Sequence, residues 1–458
     1  MGGSPSIRRL LLALLALAAL TACPVSAQTM MLRAGAAKVD VTPSEKELPK
    51  NYRGILDHLF ARAIVVDNGS SRAAMVSVDA GAIPSPLWEH LSARAARELN
   101  IPVDQFLLTA THTHSVPWTA PAGYEDRIFE AMRKAVAALR PARMAYGTGV
   151  SYINVNRNII DPKTHRWWEG PNYDGPSDKT VAVLEFDALD GKPIAVYYNY
   201  AVHGVITGTL DLVSADIPGA ASNYIEESLG DDAVAVYSNG AAGDQNPIYF
   251  NQTYELRDIR IKDYAKRGQD ISNAMPPGGE GLNRNDPRTA LLMEQQKRMI
   301  LSMGQFLGEE VLHVSRASLE RPIVEARIEG AQKSVTCPGR KRLDKGRAGY
   351  PGVYEDADPV AIRLSLLAIG DTMIGGVDGE VFTLIAQRFK RESPYKHTMM
   401  TTLTNGMARS GYIPNDAAFG YNTFEVVSSQ LKPGCAESAI VDGLLDLIDQ
   451  VDGRRKAP

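Results

Sequence analysis

The sequence predicts an α/β fold with two β-sheets flanked by helices, and three observations point there. Short apolar runs rich in Val, Ile and Ala alternate with segments of helical apolar period through the first half of the chain. Many of these runs end in small-residue or glycine-rich turns, as strands of such sheets do. The 458 residues are 44% hydrophobic and 22% charged, a globular composition with enough apolar content for a large core. A net charge of -4 leaves no electrostatic footprint for nucleic acid, so no nucleic-acid partner is expected.

The N-terminus stands apart from this fold. Arg8 and Arg9 precede a leucine- and alanine-rich run over residues 10–20, which has the length of a secretory h-region and is too short to span a bilayer. Two cleavage patterns follow it. Leu20-Thr21-Ala22-Cys23 reads as a lipobox, with residues 1–22 removed and Cys23 lipidated, whereas Val25-Ser26-Ala27 reads as an ordinary signal-peptidase site closing a signal peptide at 1–27. Either implies export: to the periplasm, to an outer-membrane anchor through Cys23, or into the medium. Cys337 and Cys435 then remain, to pair in an oxidising compartment or to stay as buried thiols.

The elements follow in order. Strands are expected over residues 36–41, 61–66 and 73–79, then a helix from Leu87 to Leu99 and a strand over 103–108. Glu125 to Leu139 reads as an amphipathic helix closed by Arg140-Pro141. Residues 181–186 and 194–200 read as two strands around Gly191-Lys192-Pro193, followed by a helix from Ile217 to Leu229 and a buried strand over 233–237. The stretch 256–286 is charged and rich in Pro and Gly without a clear period, which suggests a surface excursion. A long helix from Ala290 to Val311, a strand-rich stretch over 362–377 and a terminal helix over 440–451 complete the chain. No repeat or linker divides it, so residues 28–458 are expected to form one domain.

Candidate chemistry begins at Thr111-His112-Thr113-His114-Ser115, just after the apolar Phe106-Leu107-Leu108. Two of only eight histidines stand at i and i+2, the spacing that puts both imidazoles on one face where a strand ends. Neutral imidazole is a preferred zinc ligand, and a catalytic zinc needs about three protein ligands plus a water. His203 follows the apolar run 195–200 beside Gly204, and Glu380 ends the strand-to-turn segment Gly375-Gly376-Val377-Asp378-Gly379. The loop Ser238 to Pro247 is built of small residues that let backbone N–H groups approach a ligand. Asp79, Asp216 and Asp244 end strands or precede helices, where capping is the simpler role. Trp118, Trp167 and Trp168 lie next to these segments and either line a mouth that holds a sugar or acyl chain or pack as core aromatics.

Taken together, THTHS at 111–115, NVNRN at 154–158, NYAVH at 199–203, SADIPG at 214–219, GDQNP at 243–247, GGVDGE at 375–380 and GYIP at 411–414 resemble the neutral (alkaline, non-lysosomal) ceramidase family, in family order. The resemblance implies a ceramidase-type catalytic domain, with zinc held by His112, His203, Glu380 and Tyr412. It further implies that His114 orients or exchanges protons with substrate and that Arg157 contacts substrate. Two positions depart from the family pattern: Asn246 stands where ceramidases have a serine with a catalytic role, and Phe424 of Thr423-Phe424-Glu425 aligns with a family tyrosine. An amide can donate a hydrogen bond to an oxyanion but cannot be acylated. No counterpart of the C-terminal sandwich domain of the large ceramidases is expected.

The expected activity is therefore zinc-dependent hydrolysis of a linear N-acyl amide by activated water, with a ceramide-like lipid as first substrate and His114, Arg157 and Asn246 as the catalytic side chains. A small amphiphilic or N-acyl molecule is the expected partner. Two alternatives stand beside it: a zinc hydrolase of an ester, glycan-linked or other N-acyl group on the same scaffold, and a surface lipoprotein that binds an amphiphile without turnover.

Overall fold

The strand Phe60–Asp67 shows how this sequence builds its layers. Its run is apolar at consecutive positions because both faces are covered. Ile64 and Val66 point into a core shared with the second sheet, while Ala63 and Val65 point into a core closed by helices. The computed structural model describes residues 31–453 apart from Trp118, Asp231, residues 272–278 and Lys345. The signal segment, Cys23 and Trp118 thus lie outside the described residues.

The larger sheet has eight strands, in the order Val234–Asn239, Pro193–Tyr200, Thr180–Ala188, Arg140–Val150, Arg33–Asp40, Phe60–Asp67, Arg72–Val78 and Phe106–Ala110. The second has four: Ile328–Arg342, Tyr354–Ile369, Thr372–Val377 and His397–Thr402. Their inner faces meet through Ile64, Met75, Leu107, Leu184, Phe186, Tyr197, Leu367, Ile374 and Met399. Helices Ser85–Leu99 and Tyr124–Ala137 cover the outer face of the larger sheet at one end, and Asp216–Leu229 and Pro287–Ala317 cover it at the other. Thr383–Glu392 and Ala436–Val451 cover the four-stranded sheet. Two sheets with helices outside both is the expected architecture. Among the described residues no helix is long and apolar enough to cross a membrane.

Several expected elements shift or grow. Residues 103–105 form a 3-10 turn rather than the start of a strand, which occupies Phe106–Ala110. The strand expected at 36–41 is Arg33–Asp40. The first third of the expected excursion after Leu256 belongs to a helix, Asn251–Ala265, which buries only Thr253, Leu256 and Arg260 and so has no apolar stripe to reveal it. The long helix begins at Pro287, where the Asp286 side chain accepts from the Thr289 backbone N–H at 2.8 Å. Strands Arg140–Val150 and Ile328–Arg342 were not expected.

Cys337 and Cys435 are joined as a disulfide, which resolves the open alternative in favour of pairing. The bond ties the second sheet to the residue preceding the C-terminal helix. The flagged aspartates have structural partners. Asp79 accepts from the Phe60 backbone N–H at 2.8 Å and pairs with buried Arg62 at 3.1 Å. Asp244 accepts from the Thr383 backbone and from the Asn156 amide, both at 3.0 Å. Asp216 opens its helix, accepting from the Ile217 backbone at 2.8 Å.

Candidate metal centre

Two parallel strand pairs deliver the histidines. Phe106–Ala110 runs parallel to Arg72–Val78, and Pro193–Tyr200 parallel to Val234–Asn239, so His112 and His203 both emerge beyond carboxyl ends of parallel strands. Those strands lie six places apart in the sheet, which curls until Thr113 bridges Gly204 and the His112 and His203 ring centroids stand 4.6 Å apart. His112 has a φ of 66°, in the left-handed region that costs a non-glycine residue energy. Its backbone N–H donates to the Ala80 carbonyl at 2.9 Å, which holds the turn.

The expected oxygen donors lie on a short parallel ladder, Glu380–Val381 with Tyr412–Ile413, in which Glu380 and Tyr412 are register partners. Gly243 lets the loop that follows Val234–Asn239 press against this ladder. A Cβ there would meet the Glu380 and Val381 carbonyl oxygens at 2.7 and 2.9 Å, closer than any side chain permits.

Three of the four expected ligands, His112, His203 and Glu380, converge. Glu380 Oε2 lies 3.1 Å from His112 Nε2 and 3.2 Å from His203 Nε2. His114 Nε2 is 3.3 Å from His112 Nε2, and ring nitrogens of all three histidines fall within 4.8 Å of one another. His114 therefore stands among the candidate ligands, and it is the exposed member of the trio.

Tautomers follow from the partners. His112 Nδ1 contacts the Gly81 carbonyl at 2.6 Å and His203 Nδ1 the Gln245 carbonyl at 3.1 Å. A carbonyl only accepts, so each Nδ1 carries a proton and a neutral ring presents a bare Nε2. Burial, reinforced by Arg157 and His112, pulls the His203 ring down to about 4, so it is neutral near pH 7. A bare nitrogen facing a carboxylate oxygen at this distance is repulsive unless a cation lies between them. The donor set therefore fits a divalent first-row transition metal, with the carbonyl contacts orienting the rings as outer-shell partners do.

Arg157 and Asn246 lie beside this cluster, both buried. Arg157 Nη2 donates to the Tyr412 hydroxyl at 3.2 Å, and Nη1 to Asn246 Oδ1 at 3.3 Å. The Asn246 NH2 donates to Glu169 at 3.0 Å and to the Tyr254 hydroxyl at 3.4 Å, so both its donor hydrogens already have protein partners. Trp167 donates its indole N–H to Asn158 at 2.7 Å, whereas Trp168 is exposed. Phe424 stands edge-on to Tyr412, with ring centroids 5.8 Å apart.

Sequence reasoning missed the carbonyls of Gly81 and Gln245, which carry no residue-type signal. It also missed Glu425, which accepts from Arg157 Nε at 2.6 Å across 268 positions. The charged wall behind Asn246, where Arg257 pairs with Glu169 at 2.6 Å, was equally unmarked.

Residues 45–256 match the family model described as neutral/alkaline non-lysosomal ceramidase, N-terminal. Neutral ceramidase of Pseudomonas aeruginosa is 26% identical over 287 residues, covering 53% of this chain and 42% of that protein. Neutral ceramidase of Drosophila pseudoobscura pseudoobscura is 28% identical over 271 residues, covering 52% and 38%. The matched stretches thus span less than half the length of these curated relatives. Among solved structures, neutral ceramidase from Pseudomonas aeruginosa superposes with a TM-score of 0.69 at 16% identity, covering 93% of this chain and 75% of that one. A ceramidase complexed with C2 gives 0.68 at 17% identity, covering 93% and 77%. Residues 45–256 are thus similar to the N-terminal part of neutral/alkaline non-lysosomal ceramidases, and the chain as a whole shares the fold of the neutral ceramidase structures.

Proposed function

We propose that the protein is a zinc-dependent amidohydrolase that cleaves N-acyl amides, with ceramide-like lipids the first class to test. One observation carries the reading: His112, His203 and Glu380 aim their donor atoms at one point while both Nδ1 atoms are held by carbonyls. With Tyr412 as the fourth donor, these residues would hold the metal. Zinc bound there would supply Lewis acidity and a water of lowered pKa. His114, exposed beside the cluster, would hold at its imidazole the proton that the amine needs on leaving. Asn246 and Arg157 keep the wall beside Tyr412 rigid, so that an entering carbonyl meets fixed dipoles.

A second reading has its own support. Asn246, where the relatives' pattern has serine, is bound to Glu169, and Glu169 to Arg257, so the wall there is polar. A hydrocarbon base laid against it would strip water from an ion pair, whereas a hydroxylated or charged amine part would pair with it. The test is a panel sharing one acyl chain, carried on sphingosine, amino acids and amino sugars, assayed with chelator and after zinc is restored. Chelator should abolish turnover and zinc return it. Turnover indifferent to chelator, or none on any amide, would overturn the hydrolase reading, and the preferred amine decides between the two substrate classes.

Export belongs to the same proposal. The dibasic start, the apolar run and the Cys337–Cys435 pair support it, because disulfides persist in oxidising compartments. The mature protein should lack residues 1–22 or 1–27, and Cys23→Ser should release it from the membrane fraction if that cysteine is lipidated. Recovery of an intact N-terminus from the cytoplasm would refute export.

A further inference from the structure

Arg157 has little left to offer a substrate. A guanidinium has five N–H donors in a fixed fork. Nε donates to Glu425 Oε1 at 2.6 Å, Nη1 to Asn246 Oδ1 at 3.3 Å, and Nη2 to both the Gly243 carbonyl at 2.7 Å and the Tyr412 hydroxyl at 3.2 Å. The guanidinium carbon stands 5.5 Å from the Tyr412 ring centroid, with Phe424 packed edge-on at 5.8 Å. Arg157 thus grips Tyr412 by its oxygen and approaches it from the ring side. Glu425 is wholly buried in the short helix Phe424–Ser428, whose first turn is held by the Thr423 side chain accepting from the Val426 N–H at 3.3 Å.

We propose that Glu425 is a positioning residue which, through Arg157, fixes the Tyr412 hydroxyl beside Glu380, and that Arg157 is a support of the metal centre rather than a substrate contact. The proposal rests on the reading of Tyr412 as a metal donor. Three features carry it. The Glu425–Arg157 pair is buried on both sides, so its geometry is not averaged by water. The pair ends on the Tyr412 hydroxyl, which it holds as the Gly81 carbonyl holds His112 and the Gln245 carbonyl holds His203. The Tyr412 main chain is fixed separately, its carbonyl accepting from Ser410 and Ser429 at 2.7 and 3.1 Å, so the guanidinium acts on the side chain. His112, His203 and Tyr412 would then each have an outer-shell partner.

Zinc affinity measured by competition with a chromophoric chelator tests this on the whole chain in four forms: parent, Glu425→Gln, Tyr412→Phe and the double variant. Glu425→Gln should weaken zinc by about 10- to 100-fold, the usual effect of removing an outer-shell partner. Tyr412→Phe should weaken it comparably, and the double variant should be no weaker than Tyr412→Phe alone, because the two act through one oxygen. A full additional loss in the double variant would mark Glu425 as general scaffolding and overturn the proposal, as would unchanged affinity in Glu425→Gln. If Tyr412→Phe alone binds zinc like the parent, the donor reading itself fails. Should Glu425→Gln not fold, Arg157→Lys in the same cycle keeps the charge and removes the fork, and the same non-additivity is expected.

Discussion

His112→Ala is expected to give a folded protein that no longer retains stoichiometric zinc and has lost roughly 10³- to 10⁴-fold of its hydrolytic rate, several kcal/mol of transition-state stabilisation. His112 Nε2 faces both Glu380 and His114, so its removal opens the centre of the donor set. The fold should survive, because the turn is held by the backbone of residues 111 and 112, donating to Val78 and Ala80 at 3.0 and 2.9 Å. His112→Gly makes a sharper companion. It loses the same ligand but relieves the strain of a φ of 66°, so it should unfold at higher denaturant than the alanine variant, by about 1 kcal/mol. Metal analysis and urea titration check both statements. Stoichiometric zinc in either variant would remove His112 from the centre.

Arg157→Ala should cost about 3–5 kcal/mol of stability, the effect of stranding a charge buried without its partner. The partner is Glu425, fully buried, whose second oxygen has no hydrogen bond among the described residues. Such a loss is a third or more of the stability of an ordinary domain of about 5–15 kcal/mol. Replacing both charges together, Arg157→Met with Glu425→Leu, should cost less than Arg157→Ala, because nothing charged is left stranded. Chemical denaturation of the three proteins gives the comparison. If Arg157→Ala unfolds with the parent, the pair is not desolvated as described.

Much of the site was legible because its nitrogen and carboxylate donors sit where apolar runs give way to small residues. Those runs are read correctly since both faces of strands such as Phe60–Asp67 are buried. Tyr412 owed its assignment to the family resemblance, and the register with Glu380 gives the physical reason for its place. Arg140–Val150 was illegible because Pro141, Gly147 and Gly149 look like breaks. Gly147 and Gly149 are there because the helix Pro287–Ala317 and the residue after it press on the strand: a Cβ at Gly147 would meet Val314 and the Ser318 carbonyl at 2.8 Å. Glu425 could not be found because its meaning lies in an arginine far away in sequence. Arg157 itself was found, but a motif cannot say whether a guanidinium faces a ligand or its neighbours.

The disulfide and the donor set together have a consequence for assembly. His112 and His203 lie outside the covalent loop between Cys337 and Cys435, and follow strands of the eight-stranded sheet. Glu380 and Tyr412 lie inside that loop, which carries most of the other sheet. The centre is thus a seam, nitrogen contributed from one side and oxygen from the other. A cation seated there would act as a rivet between two panels, one of them stitched by the disulfide, and its capture would report that both panels are finished and correctly joined.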